Sequence, residues 1–106
     1  MNKFVVLLSN KKREELNDEI LFAHVAHLKK LSNLGQLVLY GPFKDNLSAI
    51  QVILAKNEAE AIMLAQKDPF IKQGYYASFE VKELIEANED NNWLMEHSQT
   101  TNNLKK

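Results

Sequence analysis

Apolar residues recur with a helical period in the stretch 20–34, ILFAHVAHLKKLSNL. At about 100° per residue, its apolar side chains share one broad face and its lysines lie opposite. His24 falls near the middle of that face, and His27 lies one turn further on, near the edge. A buried imidazole needs a hydrogen-bond partner or a cavity, so the pattern predicts an amphipathic helix that carries a candidate site. The apolar face comprises Ile20, Leu21, Val25, Leu28, Leu31 and Leu34.

Shorter apolar segments on either side of this helix have the length and composition of β-strands. The first is a continuous apolar run, typical of a strand that is buried on both faces. The second ends at Gly41–Pro42, because proline cannot donate to a sheet ladder. The fourth alternates, with Tyr75 on the buried face and Tyr76 on the wet face. These strands are predicted at 4–8, 36–40, 48–55 and 75–84.

Residues that commonly cap helices mark the ends of two predicted helices. Asn17 or Asp18 is placed to cap the first helix, and Gly35 is expected to end it with a positive φ. Asn57 is predicted to cap a second helix. That helix ends before Asp68–Pro69, because the residue before a proline is disfavoured in the helical region.

The predicted order of elements is β-α-β-β-α-β, the ferredoxin-like arrangement. We expect an α+β domain over residues 1–85, with two helices on one face of a four-stranded antiparallel sheet. The other face carries polar residues of the fourth strand, which suits a partly wet interface between the sheets of a homodimer. Residues 86–106 are rich in Asn, Glu and Thr, and only the triplet 93–95 offers an apolar surface. We expect a polar tail there, mobile until that triplet docks.

Composition narrows the classes of function. The 106 residues suit one domain, and 13 basic against 14 acidic residues give a net charge of −1, without the basic excess of a nucleic-acid-binding surface. The chain has no cysteine, which excludes disulfides, thiolate catalysis and cysteine-based zinc sites. Its N-terminal apolar run is too short for a signal peptide or a membrane span. We therefore expect a soluble, cytoplasmic protein without nucleic-acid or membrane partners.

Three segments, in this order, resemble the YciI-like family of YCII-related domains. Residues 24–35 resemble the family's His-Leu-x-x-Leu helix that closes in Gly, residues 37–43 its strand that ends in Gly-Pro, and residues 57–70 its second helix followed by Asp-Pro-Phe. The resemblance implies a small dimeric α/β barrel of ferredoxin-like topology. It also implies a His–Asp pair in a cleft, at His24 and Asp68. The wider group includes lactone isomerases and a dehydrochlorinase.

The matching elements run from Phe4 to about Leu84, which is most of the chain. The chain departs from the family pattern at Leu21, where the family often has a basic residue, and at Val25, which usually is Leu. The loop after Gly41–Pro42 is also short.

Histidine has the unperturbed pKa nearest to neutrality, which makes His24 the candidate general acid or base. In the functional interpretation, Asp68 hydrogen-bonds one ring nitrogen, fixes the tautomer and supports an imidazolium. In the alternative interpretation, His24 is a core histidine that bonds a carboxylate for structure alone, and Asp68 only ends the second helix.

Further residues are candidates for ligand binding. His27 could be a second donor or, with His24, a metal ligand, but the i, i+3 spacing does not favour a metal. We predict no metal and no cofactor. The Gly41–Pro42 turn could present the Phe43 N–H to a ligand oxyanion, with a simple turn as the alternative. Phe43 and Phe70 could line a pocket or belong to the core.

Three hypotheses of function follow. The first is a small-molecule enzyme, of isomerase or lyase type, that uses His24 and Asp68 for acid–base chemistry on a carbonyl compound. The second is a dimeric ligand-binding or accessory domain without turnover, and the third is a structural interaction module. The first two need an open cavity that reaches His24, whereas the third permits a filled core.

Overall fold

The computed structural model describes residues 1–105, and its first 84 residues contain the predicted β-α-β-β-α-β succession. One additional turn of helix, Pro69–Lys72, lies between the second long helix and the last strand. The elements are β1 (Asn2–Lys11), α1 (Asp18–Asn33), β2 (Leu37–Pro42), β3 (Ala49–Ala55), α2 (Glu58–Gln66), α3 (Pro69–Lys72), β4 (Tyr76–Leu84) and α4 (Ser98–Leu104).

The four strands form one antiparallel sheet in the order β2-β3-β1-β4. The central strand β1 is longer than predicted and runs to Lys11, followed by a 3-10 turn at Arg13–Glu15. β2 lies at an edge of the sheet, where a proline is tolerated because its missing N–H need not pair with another strand. The predicted α+β, ferredoxin-like fold is confirmed.

The core lies between the helices and one face of the sheet. Alternate side chains of β1 point into it, and the small residues of α2 allow that helix to approach closely. Each large apolar side chain that is fully buried there contributes about 1.5–3 kcal/mol relative to exposure. The main buried contributors are Phe4, Val6, Leu8, Leu31, Ile53, Ala61, Leu64, Ala65 and Phe70.

The first helix has the predicted bounds but a narrower buried face. Asn17 caps it, and Gly35 follows it with a φ of 72°. The expectation of one broad apolar face is wrong, because Leu21 and Val25 are exposed, as is Leu34. The helix packs along a single line of residues four and seven apart, which includes the buried His24 and Leu31 and the partly buried Ile20.

Tyr76 was predicted on the wet face of the last strand, and this is wrong. Its ring is buried and lies 5.0 Å from the ring of Tyr75 and 6.2 Å from that of Phe70. Only three residues separate α3 from the strand, so the aromatic ring of Phe70 in that helix lies close to the first residue of the strand.

The tail contains regular structure that the sequence pattern did not predict. A 3-10 segment covers Glu89–Leu94, and α4 follows. Trp93 and Met95 are exposed, so the apolar triplet does not pack on the body of its own chain. Among residues 1–105, no helix combines the length and apolar character needed to cross a bilayer.

Candidate active site

The position of His24 follows from where α1 begins. The Asn17 side-chain oxygen accepts a hydrogen bond from the Ile20 N–H at 2.9 Å and so fixes the first turn. The helical period then places Ile20, His24 and Leu31 in one line toward the core. The His24 side chain is almost completely buried, with 3% of its surface exposed.

Asp68 lies between α2 and α3. Its Oδ1 accepts from the Phe70 N–H at 2.9 Å and so caps α3. Pro69 occupies the first turn of that helix, where no N–H is required. The side chain of Asp68 is 0% exposed, and a carboxylate removed from water needs strong donors.

The two side chains meet in a buried hydrogen bond, with His24 Nδ1 2.7 Å from Asp68 Oδ1. An ionised carboxylate only accepts, so Nδ1 carries the hydrogen and donates it. In the neutral imidazole this leaves Nε2 unprotonated and able to take up a proton. The structure thus brings together the pair that the resemblance implied, while the catalytic role of the pair stays a prediction.

Aromatic rings enclose the pair. The ring of Phe70 stacks on that of His24, with a centroid distance of 3.6 Å and an interplanar angle of 4°. The ring of Tyr40 approaches His24 edge-on at 4.8 Å, and Phe70 packs against Tyr75 at 4.7 Å. Water is therefore kept from the Nδ1–Oδ1 hydrogen bond, which strengthens it electrostatically.

Two hollows flank the pair, and neither is lined by His24 or Asp68. One of about 430 Å³ borders on Pro69, and one of about 190 Å³ borders on His27. Lys67 lines both. Neither of these two hollows reaches the imidazole, because the rings of Phe70 and Tyr40 lie against it.

Burial keeps the neighbouring phenols neutral. Removal from water, together with Tyr76 and Asp68, raises the pKa of Tyr40 far above its usual range. Removal from water, Tyr75 and Asp68 raise the pKa of Tyr76 to about 12. Both hydroxyls therefore keep their hydrogen at physiological pH and can donate it.

His27 lies one turn beyond His24 and does not join the contact with Asp68. Its Nε2 is buried without a hydrogen-bond partner among residues 1–105, although the residue as a whole is half-buried. Burial lowers the pKa of His27, and the charges of Lys30 and Lys67 act in the same direction against the opposing effect of Asp68. We therefore expect a neutral imidazole at this position.

The predicted binding role of the Gly41–Phe43 segment is only partly compatible with the structure. Gly41 and Pro42 belong to the edge strand and pair with Ile50 and Ala49 of β3. The N–H of Phe43 donates to the Ser48 carbonyl at 2.8 Å and closes the β2–β3 turn. Of the two interpretations of this segment, the structure supports the simple turn, because the turn already uses the Phe43 donor.

Gln51 is a residue of the site that was not predicted from the sequence. It lies on the core face of β3 with 1% of its surface exposed, and neither Oε1 nor Nε2 has a hydrogen-bond partner among residues 1–105. It is paired in register with Tyr40, whose ring contacts His24. The second oxygen of Asp68, Oδ2, is also buried and unpartnered within residues 1–105. The available signal was a polar side chain at a core-facing position of an otherwise apolar strand.

The groups that converge here are one imidazole, one carboxylate and a set of phenols. Within residues 1–105, no three or more His, Asp or Glu side chains are grouped so that they could hold a metal ion. The arrangement can hold a tautomer, accept a proton at Nε2 and donate hydrogen bonds from neutral hydroxyls.

No curated protein matches the chain. Among solved structures, the fold is similar to that of 5-chloro-2-hydroxyhydroquinone dehydrochlorinase from Burkholderia phenoliruptrix AC1100 in complex with 2,5-dihydroxybenzoquinone. The two share 19% sequence identity at a TM-score of 0.66, over 85% of this chain and 99% of that chain, which shows a common fold. The sequence profile of the YCII-related domain matches residues 3–85. Since that match covers most of the molecule, the protein belongs to the YCII-related domain family.

Proposed function

We propose that this protein is a small-molecule enzyme that uses His24 as a general base and acid and Asp68 as the group that orients it. The observation that carries the proposal is the buried 2.7 Å hydrogen bond from His24 Nδ1 to Asp68 Oδ1. It leaves Nε2 as the proton acceptor and places a carboxylate behind the imidazolium that forms. General acid–base catalysis of this kind contributes about 10²- to 10⁴-fold to a rate.

The reaction class that suits these groups is an isomerisation or an elimination next to a carbonyl. Nε2 would remove a proton from the carbon, and the neutral phenols of Tyr40 and Tyr76 could donate to the developing oxyanion. Both phenols keep their hydrogen at neutral pH, which the role of donor requires.

A similar fold in a dehydrochlorinase, in complex with 2,5-dihydroxybenzoquinone, supports hydroxylated quinones and related cyclic ketones as the first compounds to test. His27 and Phe70 remain proposed binding residues, because His27 lines the hollow of about 190 Å³ and Phe70 covers the imidazole. We retain the cytoplasm as the proposed location.

Catalysis requires a way to Nε2. The Phe70 ring, carried by the short α3, covers one face of the imidazole. In this proposal the Phe70 ring moves away from the imidazole when a substrate binds. The substrate then occupies one of the two hollows that Lys67 lines.

One observation favours a second candidate, the structural interaction module, in which the pair only holds the fold together. His24 and Asp68 are 3% and 0% exposed, and their hydrogen bond ties α1 to α3. A structural clamp needs no access to Nε2, so it fits the closed arrangement directly.

We also propose a homodimer, formed through the face of the sheet opposite to the helices. Apolar side chains line up there across three strands, because β1 and β3 pair residue by residue and β2 extends the row. A stripe of this kind suits the packing of one sheet on another. Its members are Val5, Leu7, Leu39, Ile50 and Val52.

The test of the enzymatic proposal is a thermal-shift and proton-exchange screen, led by 2,5-dihydroxybenzoquinone and small cyclic ketones, on wild type, His24→Gln and His24→Ala. We expect the Gln variant to fold and dimerise while turnover falls at least about 100-fold. A Gln variant that unfolds, or that exchanges substrate protons as wild type does, would support the structural clamp instead.

A further inference from the structure

We infer that the C-terminal arm, defined as residues 86–105, docks on the β2–β3 turn of a second copy of this chain. The inference rests on the proposed dimer and not on the chemistry of His24. The arm projects from the body of the protein. The Cα radius of gyration is 16.0 Å, and the longest extent is 50 Å against 30 and 24 Å in the other directions. A compact chain of this length has a radius of gyration of about 13 Å.

The arm exposes apolar side chains, and part of its backbone has left-handed φ angles that these residues rarely adopt. The Trp93 side chain is 66% exposed, and Met95 and Leu104 are exposed as well. Asn92, Trp93 and Leu94 have consecutive positive φ angles of 50°, 58° and 62°. Left-handed backbone is disfavoured for residues with a Cβ, most of all for bulky ones. Because the body of its own chain leaves Trp93 uncovered, we assign the compensating burial to another molecule.

The surface that fits the arm is the turn patch, which comprises Lys11, Phe43, Lys44 and Leu47. The Nζ of Lys11 donates to the side-chain oxygen of Asn46 at 2.6 Å, which brings this lysine to the turn. Leu47 is 62% exposed, and Phe43 is exposed beside it. The patch therefore combines apolar side chains with two lysines, while the carboxylate of Asp45 in the same turn accepts from the Leu47 N–H at 3.0 Å.

The arm has the complementary character. Asp90 and Glu96 flank the apolar triplet 93–95. Tryptophan and methionine are enriched at interfaces between proteins, where a buried apolar centre is surrounded by charges. The acidic rim of the arm would face the lysines of the turn patch, and Trp93 would cover Leu47.

Distance favours a second copy as the acceptor. The arm begins where Leu84 pairs with Lys3 and the Glu86 side chain bonds to Lys3, at the start of β1. The turn patch lies at the other end of that strand. β1 has 10 residues, so the two ends are about 30 Å apart at about 3.3 Å per residue.

In a two-fold symmetric dimer, the arm of one copy can reach the turn patch of the other copy. When two copies lie antiparallel, the arm end of each covers the turn end of the other, and both contacts form together. The turn directly follows Tyr40 and Gly41, so the docked arm would also border the end of the sheet at which the candidate site lies.

The experiment uses two full-length variants and the intrinsic fluorescence of Trp93, which is the single tryptophan of the chain. Leu47→Glu damages the turn patch and keeps the reporter, whereas Trp93→Ala damages the arm and keeps the patch. Both positions are exposed, so both variants are expected to fold, which far-UV circular dichroism checks. Met63→Glu places the same charge on an exposed position of α2 and serves as the matched control.

We expect Leu47→Glu alone to emit at longer wavelength than wild type and Met63→Glu to emit as wild type does. When Leu47→Glu is mixed with Trp93→Ala and the chains exchange, its Trp93 finds an intact patch and the emission shifts to shorter wavelength. A dimer whose emission does not change on mixing overturns the arm contact and leaves the proposed dimer intact. A monomeric wild type in sedimentation overturns both.

Discussion

His24 and Asp68 are 44 positions apart in the chain, yet Nδ1 of the histidine lies 2.7 Å from Oδ1 of the aspartate in a nearly water-free site. The same carboxylate oxygen accepts the Phe70 N–H, so one atom caps a helix and orients an imidazole. A substitution of Asp68 therefore affects both the stability of the fold and the orientation of the His24 ring.

Substitution of Asp68 separates these two effects. Asp68→Asn keeps an oxygen that can accept from Phe70 and His24 but removes the negative charge. We expect it to fold and to lose about 10²- to 10⁴-fold in turnover on a compound from the screen, because the imidazolium is no longer supported.

Asp68→Ala is the partner variant and removes both hydrogen bonds. We expect it to lose about 3–5 kcal/mol of unfolding free energy in urea titrations, as when one member of a buried pair is deleted. Equal stability losses for the Asn and Ala variants would contradict this division of roles.

The stability of the protein should depend on pH through His27. Burial lowers the pKa of His27 below its ordinary value of 6.5, so the unfolded chain binds a proton that the folded chain resists. The contribution of the neutral His27 to the free energy of unfolding is therefore fully present above about pH 6.5. It is lost as the pH falls below that value toward the pKa of His27 in the folded state.

Urea titrations between neutral and mildly acidic pH test this dependence. His27→Gln cannot titrate, so we expect its unfolding free energy to fall less steeply with acidification than that of wild type. Parallel pH profiles for the two proteins would show that His27 does not titrate abnormally.

Gln51 should be replaceable without loss of stability. Its amide is buried and unpartnered among residues 1–105, and a buried polar group without a hydrogen bond costs about 1–3 kcal/mol. We expect Gln51→Met, of similar shape, to raise the unfolding free energy and the melting temperature. Gln51→Ala is the control and should be destabilising, since it leaves a cavity. A destabilised Met variant would mean that the amide has a partner in solution.

The regular elements could be predicted because local signals agreed with each other. Asn17 and Asn57 cap the helices as expected, and Gly35 has the positive φ of a helix end. The contact of His24 with Asp68 came from the resemblance to a family, because no local pattern relates residues that are 44 positions apart.

What failed depends on tertiary packing. Periodicity placed Leu21 and Val25 on the buried face, but it cannot tell how wide a stripe a helix presents to a sheet. The alternation in the last strand placed Tyr76 in solvent, because it carries no information on the Phe70 ring that lies close to it. The sequence could not show whether aromatic rings would lie against His24, since aromatic residues pack a core or line a pocket with the same sequence pattern.

In the proposed mechanism, His24 offers an unprotonated Nε2 because Asp68 holds the hydrogen on Nδ1. Nitrogen-15 NMR of the neutral imidazole of His24 in the wild-type protein measures this directly. We expect the bonded hydrogen of His24 to be on Nδ1 and Nε2 to have the chemical shift of a ring nitrogen without hydrogen. A hydrogen on Nε2 with a bare Nδ1 would contradict it.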